Sequence, residues 1–217
     1  GSFADFGYSI TVTDPAKEIL AGRSAADNAT ADEAQLSEFF IAENITGSLL
    51  NNRTIYMQLP DGVYWYDENL ANQATSPVSA QTQLDNSIDV TTETGTMTLN
   101  ITPVQNKPGL IKGTFDNIAA GSKDKIKIEA KVVVAVNFEG DVTIEFSGSQ
   151  GINDTITVAK VVEPVTAKAD VVDVKIGMQN QEAGDITITE VQPGVFVDDG
   201  IGYVTVTAPS GVSFSKL

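Results

Sequence analysis

Lys125-Ile126-Lys127-Ile128-Glu129-Ala130-Lys131-Val132-Val133-Val134-Ala135-Val136-Asn137-Phe138 is the stretch that decides the fold. Ile126, Ile128, Ala130, Val132, Val134, Val136 and Phe138 fall on one side of an extended chain, with Lys125, Lys127, Glu129 and Lys131 opposite. A spacing of two is the period of a β-strand with one wet face. Val133 and Ala135 then make the later part apolar on both sides, as when a strand passes from the rim of a sandwich into a covered region.

The pattern extends in both directions. Gly140-Asp141 reads as a turn into Val142, Ile144 and Phe146. Met97-Leu99-Ile101, Ile55-Met57-Leu59, Ile156-Val158, Val204-Val206-Ala208 and a short run from Leu110 to Phe115 are further strand candidates. Pro60-Asp61-Gly62, Lys107-Pro108-Gly109, Pro193-Gly194 and Asp198-Asp199-Gly200 supply the turns between them. Many short strands at this spacing predict an all-β, antiparallel Ig-like β-sandwich. Helix signals are few. Asp14-Pro15 could cap a short helix through Ala21, and Thr30-Ala31-Asp32-Glu33 has capping-box form. Residues 68–94 read as a loop or a lightly built edge.

The chain also repeats itself. Phe40-Ile41-Ala42-Glu43-Asn44-Ile45-Thr46-Gly47 and Leu59-Pro60-Asp61-Gly62-Val63-Tyr64-Trp65 have counterparts in Ile188-Thr189-Glu190-Val191-Gln192-Pro193-Gly194 and Ala208-Pro209-Ser210-Gly211-Val212-Ser213-Phe214. Glu43 matches Glu190, Pro60 matches Pro209, Gly62 matches Gly211 and Trp65 matches Phe214. The second copy breaks off after Phe214. The expected organisation is an N-terminal strand over 1–13, a sandwich module over 14–160, and a partial β module over 161–217 at the C-terminus. In the second copy, Pro164 to Gly177 reads as strand, with Val172, Val174 and Ile176 alternating. Val161-Val162-Glu163-Pro164 between the modules reads as a direct strand-to-strand passage, unlike a Gly/Ser linker.

Composition narrows the chemistry. The 217 residues are 41% hydrophobic, enough for a core, and contain neither Cys nor His. Disulfides, thiol chemistry and Ser-His-Asp catalysis are thereby excluded, and zinc, copper and iron sites lose their commonest ligands. Twenty-nine acidic and 13 basic residues give a net charge of −16, which repels nucleic acid and anionic lipid. No apolar run reaches the length of a membrane span. No cofactor is expected; an acidic chain is compatible with structural calcium, although no EF-hand-like run is present. Asp198-Asp199, Asp61 and Glu68 lie near Tyr64, Trp65 and Tyr66 in sequence, but they read better as turn residues than as a glycosidase pair, and the chain reads as no enzyme.

The run Lys160-Val161-Val162-Glu163-Pro164-Val165-Thr166-Ala167-Lys168-Ala169, the later Val174-Lys175-Ile176-Gly177 and Gly184-Asp185-Ile186-Thr187-Ile188, and the phrase Leu59 to Val63 resemble secreted cell-surface proteins of Gram-positive bacteria. These are of the S-layer or stalk type, built of tandem Ig-like β-sandwich modules. The resemblance implies an extracellular, structural role and carries over no catalytic residues. The expected function is a self-assembling filament or lattice subunit, joined head to tail by β-strand donation. The alternative is a carbohydrate- or partner-binding module of a larger surface protein.

Specific residues follow from each reading. Phe3, Phe6, Tyr8, Ile10 and Val12 form either the ordinary first strand of the module or a donor strand for a neighbour's sheet. The partner is then a second copy of the chain. Tyr64 and Tyr66 alternate with Trp65 and form a candidate surface for cell-wall or extracellular polysaccharide. Asn28, Asn44, Asn52, Asn100 and Asn153 each open an Asn-x-Ser/Thr sequon. Lys131 and Lys160 are candidates for a Lys–Asn isopeptide cross-link, set against exposed lysines that discourage edge pairing.

Overall fold

The computed structural model describes residues 7–21, 35–66, 87–107, 109–135, 138–191 and 205–214. The chain divides into two compact units, residues 1–162 and 163–217. Among the described residues there is no α-helix, only one 3-10 turn at Ser149–Gly151.

Unit 1 is a β-sandwich. Its first sheet has the order β1 (Tyr8–Val12), β3 (Phe39–Glu43), β9 (Lys125–Ala130), β6 (Ile88–Thr94). Its second has the order β2 (Glu18–Leu20), β12 (Asn153–Val162), β11 (Gly140–Gly148), β4 (Thr54–Gln58), β8 (Leu110–Asp116), β7 (Thr98–Pro103). A short pair joins β5 (Val63–Trp65) to β10 (Val132–Val134). All neighbours are antiparallel except β2 and β12, which run parallel.

The inward faces of the two large sheets form one core. Ile10, Phe39, Ile41, Ile126 and Ile128 from the first sheet join Ile55, Met57, Ile111, Phe115, Val142, Ile144, Phe146 and Val158 from the second. The rings of Phe39 and Phe146 meet edge to face across the sheets, centroids 5.9 Å apart, an arrangement that adds to the apolar burial. Each fully buried aliphatic side chain contributes about 1.5–3 kcal/mol of transfer free energy.

The described part of the stretch, residues 125–135 and Phe138, behaves as its alternation predicts, with one addition. Lys125, Lys127 and Glu129 are half-buried on the outer face, and Val132, Val133 and Val134 are buried on both sides. Between them Lys131 breaks the strand. Its N–H donates to Ser87 O at 2.7 Å, and it bridges to Gln35, so the chain leaves the first sheet at β9 and joins β5 as β10. On the outer face Lys127 Nζ lies 3.1 Å from Glu129 Oε2, a hydrogen bond that raises the lysine's pKa. Lys125 stacks its ammonium 4.1 Å from the Phe40 ring centroid.

Two expectations are corrected. The segment after Asp14-Pro15 is not a helix. Asp14 Oδ1 accepts the Ala16 N–H at 2.9 Å, the local bond expected of a cap. Glu18–Leu20 then extends as β2, because β12 offers it a paired edge and Ile19 and Leu20 are buried there. Residues 170–185 form no strand; Val172, Val174 and Ile176 are exposed, and a turn passes through Gly177 at positive φ. The capping-box segment 30–33 lies outside the described residues.

Unit 2 contains β13 (Val165–Ala169) and β14 (Ile186–Glu190), paired antiparallel, followed by the segment 205–214.

Candidate functional site

The repeat is a repeat of structure as well as of sequence. In unit 1, Val63 N–H donates to Pro60 O at 3.0 Å and Gly62 has φ +90°. In unit 2, Val212 N–H donates to Pro209 O at 3.0 Å and Gly211 has φ +85°. Each is a β-turn whose third residue needs positive φ, which explains why glycine stands at both places.

The strand pairing is repeated too. β1 and β3 pair as Tyr8↔Glu43, Ile10↔Ile41 and Val12↔Phe39. β13 and β14 pair as Val165↔Glu190, Ala167↔Ile188 and Ala169↔Ile186. With Glu43 aligned on Glu190, the two hairpin-like pairs have the same register, and β13 is the counterpart of β1. Sequence reasoning missed this equivalence, because Val165, Ala167 and Ala169 carry the alternation on small side chains.

What differs is the cover. Phe39 is 0% exposed and its counterpart Ile186 is 46% exposed; Val63 is 1% and Val212 58%; Trp65 is 0% and Phe214 44%. Among the described residues, every buried hydrophobic side chain lies at or before Val161. Among its described residues unit 2 has the turn and strand register of unit 1 without buried hydrophobic side chains.

The N-terminal strand occupies its own chain's sheet. Tyr8 and Ile10 are buried in the core, and Val12 packs against it. Tyr8 O accepts the Asn44 Nδ2–H at 2.9 Å, and its hydroxyl accepts the Asn153 N–H at 3.1 Å, reaching the start of β12. Ser48 Oγ donates to Gly7 O. Lending this strand would break all of these contacts. Unit 2, moreover, already holds a strand at the equivalent position. Within this chain Tyr8, Ile10 and Val12 stand as the first strand of the module, paired with β3. Phe3 and Phe6 lie outside the described residues.

The tyrosine surface is corrected as well. Trp65 is buried as its place in the repeat predicts, its Nε1–H donating to Gly109 O at 2.8 Å. Tyr66 is also buried, clustered with Val133, because β10 is covered on both sides. Tyr64 is half-buried. The two do not make an exposed aromatic pair.

Among the sequons, Asn52, Asn100 and Asn153 are exposed. Asn44 is half-buried and its amide nitrogen is engaged with Tyr8 O. Asn28 lies outside the described residues, as do Glu68, Asp198 and Asp199. Lys131 is half-buried and Lys160 exposed, so neither is the buried lysine that an isopeptide bond needs. A cleft of about 240 Å³ between β6 and β7 has Ile88, Val90, Leu99 and Ile101 among the described residues that line it. Among the described residues no three carboxylates gather as a metal site, and no helix is long and apolar enough to cross a membrane.

One pair of residues escaped sequence reasoning altogether. Glu43 and Asp124 are buried carboxylates. Glu43 Oε1 accepts the Leu49 N–H at 2.9 Å, and Oε2 accepts the Asp124 N–H at 3.1 Å. Asp124 Oδ1 accepts from Thr96 N–H at 2.7 Å and Met97 N–H at 3.4 Å, and Oδ2 accepts from Ala119 N–H at 2.8 Å. Buried charge is tolerated where donors converge on it in this way. The pair ties loops together: five backbone N–H groups converge on its four oxygens. The signal that could have found it was the glutamate shared by both copies of the repeat.

No family model matches the chain, and no curated protein resembles it significantly.

Proposed function

We propose that this chain is a non-enzymatic structural protein of the cell surface, secreted, and assembling head to tail into a filament or lattice. One observation carries the reading: unit 2 repeats the turn and the strand register of unit 1 while its apolar face stays uncovered. A surface of this kind gains transfer free energy when another protein covers it. A contact between unlike surfaces of two copies propagates unless its rotation closes a ring.

The place of β1 in its own sheet changes the expected form of the contact. The exposed apolar groups of unit 2 that a second copy would cover include Ile186, Val212 and Phe214. The polysaccharide alternative loses its main support with the burial of Tyr66. The acidic surface suits an extracellular position, where high net charge keeps an abundant protein soluble until its specific contacts form.

Sedimentation velocity and electron microscopy of the 217-residue chain over a range of concentrations test the assembly. Species of increasing size are expected, and Val212→Asp with Phe214→Asp should reduce them to monomer while unit 1 stays folded. A monomer at every concentration overturns the proposal. Immunogold labelling of producing cells tests the location, and label confined to the cell interior overturns it.

A further inference from the structure

We infer that the outer face of the second sheet of unit 1, with the turn that opens β4, is a glycosylated face: Asn52, Asn100 and Asn153 each take an N-linked oligosaccharide, and copies of the chain meet elsewhere. The second half of the inference rests on the proposal that the chain assembles. The first half stands on the geometry of the sheet.

Strand register places the sites. On β7, Leu99 is buried and its neighbour Asn100 is exposed. On β12, Ile156 and Val158 point into the core, and Asn153, out of step with them, is exposed. Both asparagines therefore stand on the outer face. Asn100 pairs with Thr114, which pairs with Thr54. Asn153 pairs with Ser147, which pairs with Tyr56, the next outward residue after Thr54 on β4. The two sites lie four strand spacings apart, about 19 Å at ~4.8 Å per strand. Midway between them, Asn52 is exposed in the turn that leads into β4, its N–H on Phe115 O at 2.8 Å.

The fold gives no other reason for two of these asparagines. Asn is depleted in strands, yet Asn100 and Asn153 both lie on strands. An asparagine that serves the structure spends its amide on a neighbour, as Asn44 does on Tyr8 O. Among the described residues the side-chain amides of Asn100 and Asn153 have no hydrogen-bond partner. Asn52 has a conformational reason as well, a φ of +62°, which asparagine tolerates. What the three share is a threonine two places on, at Thr54, Thr102 and Thr155, the pair of groups that an oligosaccharyltransferase reads.

The transfer asks nothing of this chain but the amide. The asparagine nitrogen attacks C1 of a sugar carried on a lipid pyrophosphate. The N–C1 bond forms, the C1–O bond breaks, the lipid pyrophosphate leaves, and the amide gives up one proton. The surface must then hold a bulky, hydrated group. This one is polar, with Thr114, Lys112, Thr54, Tyr56 and Ser147 between the two strand sites. Among the described residues, none of the large exposed hydrophobic side chains lies on β4, β7, β8, β11 or β12. Glycan here covers nothing that a protein contact needs, whereas the exposed Val212 and Phe214 belong to unit 2.

Two measurements test the face. Peptide mapping of the chain from producing cells should find oligosaccharide mass on Asn52, Asn100 and Asn153 and none on Asn44. A bare amide at any of the three, or glycan at Asn44, overturns the inference. The chain contains no cysteine, so Asn100→Cys and Asn153→Cys each offer one site for a maleimide-linked polyethylene glycol of glycan size. Sedimentation velocity should find the same species with and without polymer at these sites, with an unchanged urea midpoint reporting that unit 1 is intact. Polymer on Phe214→Cys should reduce the chain to monomer. Assembly blocked by polymer at Asn100→Cys or Asn153→Cys overturns the second half of the inference. A chain that never assembles overturns the assembly proposal, and the glycan map then decides this inference alone.

Discussion

Glu43 and Asp124 hold each other by two bonds: the Asp124 N–H reaches Glu43 Oε2 at 3.1 Å, and the Glu43 N–H reaches Asp124 O at 2.9 Å. Through their remaining oxygens they also fix residues 49, 96, 97 and 119. Asp124→Ala would leave three buried or half-buried N–H groups without acceptors, a loss of about 3 kcal/mol or more at ~1–3 kcal/mol each. Urea denaturation should give a lower midpoint at unchanged slope. A double-mutant cycle with Glu43→Gln should give a coupling of about 0.5–3 kcal/mol.

Gly95→Ala should resemble Asp124→Ala. Gly95 has φ +77°, and an added Cβ would lie 1.5 Å from Asp124 Oδ1, so the carboxylate must leave its donors. Gly121→Ala is the control: nothing lies within 4 Å of its added Cβ. Thermal melts should separate the two by several degrees.

Trp65→Phe should cost about 2 kcal/mol, since it removes the bond to Gly109 O and part of the buried ring. Phe214→Ala, at the matching place in the repeat, should change the stability of unit 1 by less than about 0.5 kcal/mol. Equal effects would contradict the opposite burial of the two sites.

Tyr66→Ala should act on stability, by about 2 kcal/mol or more, because the ring is buried against Val133. Glycan-array binding that is lost in this variant at unchanged stability would restore the polysaccharide reading.

In a host that reads the sequon, intact-mass and peptide mapping should find glycan at Asn52, Asn100 and Asn153 but not at Asn44. The first three are exposed, whereas the Asn44 amide nitrogen donates to Tyr8 O. Glycan found on Asn44 would require that contact to open.

Much of the fold was legible because unit 1 buries one face of most strands. Ile55-Met57-Leu59 and Val142-Ile144-Phe146 alternate in sequence and point into the core in space. What was illegible depended on partners distant in sequence. β2 is too short to show a period, and its Asx bond at Asp14 imitates a helix cap, so only β12, some 140 residues away, makes it a strand. Val172-Val174-Ile176 has the period of a strand and no strand partner among the described residues. Of the candidate site, the repeated turn was readable from Pro60-Asp61-Gly62 and Pro209-Ser210-Gly211. The burial of Tyr66 was not, because it depends on β10 leaving its sheet at Lys131.

The parallel pairing of β2 with β12 has a mechanical meaning. Lys160, Val161 and Val162 lie beside Glu18, Ile19 and Leu20, and Lys160 N–H also reaches Lys17 O. Tension that reaches β2 from its N-terminal side and β12 from its C-terminal side pulls these neighbours along their axes in opposite directions. Their hydrogen bonds then bear load together in shear, instead of opening one after another like a zip. A strand of only three residues is so placed that it resists stretching of the unit.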